Sequence, residues 1–382
     1  MKNQPDYNQL ALALHKKLKG KLTIQSKQTL KTKTDWSTMY TPGVGAVSAY
    51  LAKHPEKTRD YTMKNNLVAV VSDGSAVLGL GNIGPEASLP VMEGKAAIFN
   101  TIAGIDAVPI VLNVHTVDEI VAVVKAIAPG FGGINLEDIA APVCFEVEER
   151  LKKDLQIPVM HDDQHGTAIV VLAGLINSAK VVGKKLENMR VVIVGAGAAG
   201  RAIALLLLKA GLKDVIVTDR SGILAAGRPG LSGYKKDLAK VTNPRKVKGE
   251  ALDATTGADA IVGVSGPGTV SKYHIEVMGE RPVVFALANP VPEIQPKDAT
   301  QAGAYVVATG RSDYPNQVNN SLVFPGIFRG ALDKKVTAIT DEMKLKAAKA
   351  VASLVKKPTP QEIIPSVNHP DLVKKVASAV KR

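Results

Sequence analysis

Residues 190–219 read RVVIVGAGAAGRAIALLLLKAGLKDVIVTD. The apolar run 190–195 predicts a buried strand, and RAIALLLLKAG, free of breakers, predicts a helix. DVIVTD (214–219) predicts a second strand ending in an acid. Between strand and helix lies Gly195-Ala196-Gly197-Ala198-Ala199-Gly200, a G-x-G-x-x-G turn. Each part has a physical task. Gly195 permits the tight turn, Gly197 lets the backbone approach a pyrophosphate, and Gly200 lets the helix pack on the strand. The helix N-terminus faces the phosphates. Asp219, 24 residues after Gly195, is placed to bond an adenosine ribose. The stretch therefore reads as a dinucleotide-binding fingerprint; the competing reading is a glycine-rich turn of structural use alone.

Outward from this unit the alternation continues. ADAIVGV (258–264), RPVVFAL (281–287) and AYVVAT (304–309) supply further strands, so the second half predicts a doubly wound, Rossmann-type sheet. In the first half LVAVVS (67–72), AVPIVLNV (107–114) and IPVM (157–160) are strand candidates, with a charged helix near 143–155. The class is α/β with mainly parallel sheets. At 382 residues the chain fits two domains. The boundary falls near 160, before a helix at 166–182, giving an N-terminal α/β domain over 1–160 and a dinucleotide-binding domain over 161–382. Terminal helices are expected from about 338.

Composition narrows the function classes. The chain is 46% hydrophobic and 22% charged, with a mean hydropathy of +0.08, as in soluble globular proteins. Its net charge of +13 is terminal: residues 1–33 hold eight lysines against Asp6, residues 331–382 hold eleven basic against five acidic residues, and 34–330 balance. Solvated helix faces account for this. With 4% aromatics and no nucleic-acid module, neither nucleic acid nor a membrane is expected as partner. The N-terminus lacks the pattern of a secretory signal, and no apolar run reaches the ~18 residues of a membrane span. The one cysteine, Cys144, excludes an internal disulfide and fits a reducing, cytoplasmic setting.

Three features carry chemistry. GKAAIFNTIAG (94–104) holds a single charge, Lys95. It reads as a buried helix whose lysine points into something polar, with burial lowering its pKa toward general-base use; the alternative is a lysine reaching solvent. Glu137-Asp138 and His161-Asp162-Asp163-Gln164-His165 gather acids with few balancing cations, the second group at a strand end. Hard oxygen ligands favour Mg²⁺ or Mn²⁺; helix caps and surface turns are the competing reading. Asparagines follow two late strands, in ALANP (286–290) and in TGRSDYPNQVNNSLVFPG (309–326), suited to ligand amides or to turns. A second glycine pattern, Gly79-Leu-Gly81-Asn-Ile-Gly84, lacks a ribose-binding acid and reads as a substrate loop.

Together these motifs resemble the malic enzyme family in its short bacterial and archaeal form. The likeness runs from about 15 to 355. It rests on YTPGVG (40–45), SDGSAVLGLGNIGP (72–85), EGKAAIF (93–99), INLEDIAAP (134–142), HDDQHGTA (161–168), GAGAAG (195–200), ALANP and NNSLVFPG. The resemblance implies that Tyr40 is the general acid and Lys95 the general base, with Asp162 orienting Lys95. Glu137, Asp138 and Asp163 would ligate a divalent metal. Asn289, Asn319 and Asn320 would contact substrate or nicotinamide. Larger members carry a carboxylate-binding arginine where this chain has Ala76; the expectation is that backbone N–H groups near Ser75–Ala76, or the asparagines, take that role.

The activity so implied is oxidative decarboxylation of L-malate to pyruvate and CO₂ with reduction of NAD(P)⁺, dependent on Mn²⁺ or Mg²⁺, with decarboxylation of oxaloacetate as a partial reaction. Asp219 favours NAD over NADP, opposed by the adjacent Arg220. A homodimer or higher homo-oligomer is expected. The alternatives are malolactic conversion of malate to lactate, and a non-enzymatic nucleotide-sensing protein.

Overall fold

The computed structural model describes residues 6–381. Two sheets organise it. The first has four parallel strands in the order β2-β1-β3-β4: β1 Leu67–Ser72, β2 Asp106–Val111, β3 Gly133–Leu136 and β4 Val159–His161. The second runs β10-β9-β8-β5-β6-β7: β5 Arg190–Val194, β6 Asp214–Asp219, β7 Gly222–Ile223, β8 Ala260–Gly263, β9 Val283–Ala286 and β10 Val306–Thr309. Its pairs are parallel except for β7, antiparallel to β6. Strand order reverses at β5, beside β8, and that switch point is where α/β sheets bind ligands.

Two strands escape the sequence patterns. β3 has four residues, GINL, directly after the glycines of PGFGG, yet it is a fully buried inner strand. β7 is two residues long. The helix expected at 166–182 begins four residues earlier, at Asp162. It is long and apolar enough by composition to cross a bilayer, contrary to the expectation of no such run, but 72% of its apolar window is buried inside the protein. Most of its length is core, because sheet faces and helices surround it.

That helix joins the halves. One core extends from Val70 and Phe99 through Ile169 and Leu172 to Ile193, Phe285 and Phe324. The chain also returns to its first half late: Phe324 and Phe328, on the helix Phe324–Asp333, meet Phe99 edge to face at centroid distances of 4.7 and 5.4 Å. Each such fully buried ring contributes ~1.5–3 kcal/mol by area and each ring pair about 0.5–1.5 kcal/mol more. The N-terminal helices Tyr7–Leu18, Lys33–Met39 and Gly43–Lys53 are the opposite case, with no buried residue in any of them.

Candidate active site

Parallel β1, β3 and β4 end along one edge of the first sheet, with Val71 beside Leu136 and Leu136 beside His161. The next residues along the chain therefore converge. β3 delivers Glu137 and Asp138, and β4 delivers Asp162 and Asp163 at the first turn of the helix Asp162–Val182. The helix Gly84–Ala103 passes the same edge and contributes Lys95. Its Nζ lies 2.9 Å from Glu137 Oε1 and donates to Asp162 Oδ2 at 2.5 Å. The Phe324 ring, its centroid 4.4 Å from Nζ, closes the apolar side.

Burial works against the charged ammonium, but Asp162 and Glu137 outweigh it and hold Lys95 above its ordinary pKa. This corrects the expectation of a lowered value: the helix segment is buried as read, but the lysine meets two carboxylates there. The acids respond differently. Burial raises Glu137 and Asp162 and takes Asp138 up to about 8. Asp163 is lowered in spite of burial, because His161 stands 3.1 Å from its Oδ2.

Glu137, Asp138 and Asp163 each bring one oxygen to within 4.8 Å of the others. Asp138 Oδ2 and Asp162 Oδ1 are buried without a hydrogen-bond partner. Such orphaned acceptors are costly unless something satisfies them. Three clustered hard oxygens fit a divalent cation of the Mg²⁺ or Mn²⁺ type. The supports are specific. Asn135 Nδ2 donates to Glu137 Oε2 at 3.0 Å, and the Asp138 N–H donates to Asp163 Oδ2 at 2.8 Å. Asp138 itself sits at φ 53°, a left-handed conformation uncommon for a side-chain-bearing residue and concentrated at functional sites. His165 is elsewhere, on Glu148 Oε2 and Lys344 Nζ, and does not join the cluster.

The N–H groups proposed to replace the missing arginine are already engaged. Ala76 N–H donates to the Asp138 carbonyl at 3.0 Å, and Ser75 N–H to Asp73 Oδ1 at 3.0 Å. They serve the loop's own fold and leave no donor for a substrate carboxylate. A Cβ built on Gly79 would come 2.4 Å from the Asn289 carbonyl oxygen, so the substrate loop seats against ALANP. Asn319 Nδ2 donates to the Gly310 carbonyl at 3.2 Å, and Asn320 Cβ would be 3.1 Å from a Cβ on Gly166, a turn below Asp162. Tyr40 is not among these groups. It is 64% exposed and its side chain makes no hydrogen bond to the carboxylates.

In the second sheet, Gly195 takes φ 122° where β5 meets the end of β8, and a Cβ there would be 2.5 Å from the Val264 carbonyl. A Cβ on Gly200 would sit 1.8 Å from the Gly195 carbonyl, whereas one on Gly197 would meet open space. Ala196, Ala198 and Ala199 complete the turn into the helix Ala198–Lys209. Asp219 ends β6 and is held well below the usual carboxylate range, in spite of burial, by Arg228 and Lys235. Sequence reading named Arg220, which is exposed. It missed Arg228, Lys235, Asn135 and Phe324: a loop arginine nine residues downstream of Asp219 has no periodic signal to mark it.

Residues 164–382 match the family described as malic enzyme, NAD binding domain, and residues 19–117 and 114–152 match malic enzyme, N-terminal domain. Among curated proteins, the bifunctional malic/malolactic enzyme of Bacillus subtilis is 55% identical over 90% of this chain and 84% of its own length. An NADP-dependent malic enzyme of Halomonas elongata is 47% identical, covering 93% and 84%. Among solved structures, the NAD-dependent malic enzyme of Thermotoga maritima superposes with a TM-score of 0.93 at 48% identity, covering 97% of this chain and 98% of that one.

Proposed function

The chain belongs to the malic enzyme family, and on that premise we propose that it converts L-malate and NAD(P)⁺ to pyruvate, CO₂ and NAD(P)H at the Lys95–carboxylate cluster. The observation that carries this reading is the convergence of Lys95, Glu137, Asp138, Asp162 and Asp163 on one sheet edge, in a chain that also carries a dinucleotide-binding fold.

Glu137, Asp138 and Asp163 would hold Mg²⁺ or Mn²⁺, and when bound the ion would supply Lewis-acid polarisation of the substrate's C2 oxygen. The chain's own groups do the rest. Lys95 passes its extra proton to Asp162 Oδ2, whose pKa, raised by burial, suits it as acceptor. The freed amine takes the C2 hydroxyl proton as C2 delivers hydride to the nicotinamide. Loss of CO₂ from the resulting oxaloacetate leaves enolpyruvate, and the Tyr40 phenol protonates its C3. Asn289, Asn319 and Asn320 orient substrate and nicotinamide. Asp219 supports a preference for NAD⁺.

We also propose a homodimer. Leu10, Leu14, Trp36, Tyr40 and Met63 are each more than half exposed, an apolar set that a second copy would cover. Covering it is the arrangement that brings an exposed Tyr40 into a closed site. The single buried cysteine supports a cytoplasmic location.

Steady-state turnover of malate with Mn²⁺ and each cofactor, before and after EDTA, tests the reading; full activity after exhaustive EDTA treatment contradicts the metal role. The name of the Bacillus subtilis relative favours one further reading, malolactic turnover at the same site. Lactate formed without net NADH would reveal it.

A further inference from the structure

We propose that Glu148 is a positioning residue whose one carboxylate grips both ends of the turn 161–165 and so fixes Asp162 and Asp163, an inference that rests on the roles proposed for those two acids. Oε1 accepts from the His161 N–H at 3.0 Å, and Oε2 accepts from His165 Nε2 at 2.8 Å. Asp162 and Asp163 lie between these two anchors in the chain. The Glu148 side chain is only 7% exposed. It stands on the helix Val143–Asp154, and its neighbours Val147 and Leu151 pack into one core with Leu136 of β3 and Val159 of β4. The grip therefore starts from a fixed base.

The helix start shows why such a hold is needed. A helix commonly begins with a side chain that accepts from its first-turn N–H groups. The helix Asp162–Val182 has none, because its N-cap, His161, makes no side-chain cap bond. The first-turn carboxylates are turned to the site instead, Asp162 to Lys95 and Asp163 to the Asp138 N–H. Glu148 supplies an anchor from outside the helix. The far partner of His165 sets the direction of its bond. Lys344 Nζ lies 3.0 Å from His165 Nδ1; an ammonium only donates, so Nδ1 accepts and the ring proton sits on Nε2, facing Glu148. Lys344 is itself buried and also donates to Asp341 Oδ1 at 3.1 Å, so His165 is held from both sides. His161 carries the hold further, since its ring stands 3.1 Å from Asp163 Oδ2. Lys152 plays a different part. It pairs with Glu148 Oε1 at 2.6 Å from one turn along the same helix and is 28% exposed. It balances the buried charge. Its Nζ is 3.5 Å from His165 Nε2, and with both atoms donors no bond forms there.

The test compares Glu148→Gln, His165→Asn, His165→Gln and Lys152→Gln with wild type. Calorimetric titration without substrate reads Mn²⁺ affinity and NAD⁺ affinity; kcat is read at saturating Mn²⁺, malate and NAD⁺. Glutamine at 148 keeps one acceptor oxygen, and its amide group meets the other anchor donor to donor, so one end of the turn is released. Asparagine at 165 is too short to reach Glu148, whereas glutamine places an N–H where Nε2 was. Residues that orient metal ligands are worth about 10–100-fold in metal affinity. Glu148→Gln and His165→Asn are each expected to weaken Mn²⁺ binding and to lower kcat within that range, with NAD⁺ affinity unchanged because the dinucleotide turn follows β5 of the other sheet. His165→Gln restores most of the Mn²⁺ affinity. Lys152→Gln lowers the melting temperature and leaves Mn²⁺ affinity as in wild type. If Glu148→Gln and His165→Asn lower the melting temperature yet bind Mn²⁺ like wild type, the inference is overturned and the metal reading stands. It is overturned too if Lys152→Gln weakens Mn²⁺ binding as much as Glu148→Gln, or if Mn²⁺ and NAD⁺ affinities fall together. A wild-type chain that binds no Mn²⁺ refutes the metal reading and this inference with it. Weakened Mn²⁺ binding in these variants of a chain that turns over no malate would uphold the inference and contradict the proposed reaction.

Discussion

Replacing Gly166 by alanine adds one methyl group to the helix Asp162–Val182, and local preference favours it: alanine gains roughly 0.5–1 kcal/mol over glycine in a helix interior. The structure predicts the opposite outcome. The new Cβ would lie 1.8 Å from Asp162 Oδ1 and 2.9 Å from Asp162 Cγ, with Asn320 Cβ at 3.1 Å. To restore a 3.0 Å contact the carboxylate retreats by about 1.2 Å. Its other oxygen now accepts from Lys95 at 2.5 Å, so the retreat breaks or severely stretches a buried charged hydrogen bond of about 1.5–3 kcal/mol. The net stability change is a loss of ~1–2 kcal/mol, after subtracting the helix gain. Misplacement of about 1 Å at a reacting group costs on the order of 100-fold in rate. Urea unfolding monitored by circular dichroism reads the first, and kcat with saturating malate, Mn²⁺ and NAD⁺ reads the second. A variant more stable than wild type with near-normal kcat would refute the coupling of Asp162 to Lys95.

Lys95→Ala is expected to lower kcat by about 10²–10⁴-fold. It should also lower the melting temperature in EDTA, because Asp162 and Glu137 lose their cation; near-normal turnover sinks the base assignment. Tyr40→Phe should severely impair pyruvate formation without altering the melting temperature, since the phenol makes no hydrogen bond among the described residues; unchanged turnover under saturating conditions removes Tyr40 from the mechanism. Burial lowers His165 from 6.5 to about 4, with Lys344 and Lys152 outweighing part of the pull of Glu148. Between those values the unfolded chain binds a proton that the folded chain does not, so stability falls as pH drops from 6.5 toward 4, by at most about 3 kcal/mol. Differential scanning calorimetry from pH 7 to 5 should show the decline, and a slope identical in His165→Gln would contradict its source.

Much of this arrangement is legible in the chain because apolar strands and glycine turns are local signals. RVVIVGAGAAG declares its strand, turn and helix without reference to anything distant. The lone Lys95 in an apolar helix marks burial for the same reason. What it meets is not local: Glu137, Asp162 and Phe324 reach it only through sheet register and a late helix, and they reverse the direction of its pKa. GINL is too short to advertise a central strand. Asp219 is visible at the end of β6, yet its partners Arg228 and Lys235 lie on a loop and a helix start, where neither period 2 nor period 3.6 applies. Ala76 could be named as a departure, but only the fold shows that the Asp138 carbonyl already holds its N–H.

The central claim is that the Lys95–carboxylate cluster couples hydride transfer to decarboxylation. The most direct test follows [¹³C]L-malate by NMR with Mn²⁺ and NAD⁺, alongside absorbance at the reduced nicotinamide band. The account predicts pyruvate, CO₂ and reduced cofactor appearing in equal amounts, all lost together in Lys95→Ala. Oxaloacetate accumulating without CO₂, or equal product formation by Lys95→Ala, would contradict it.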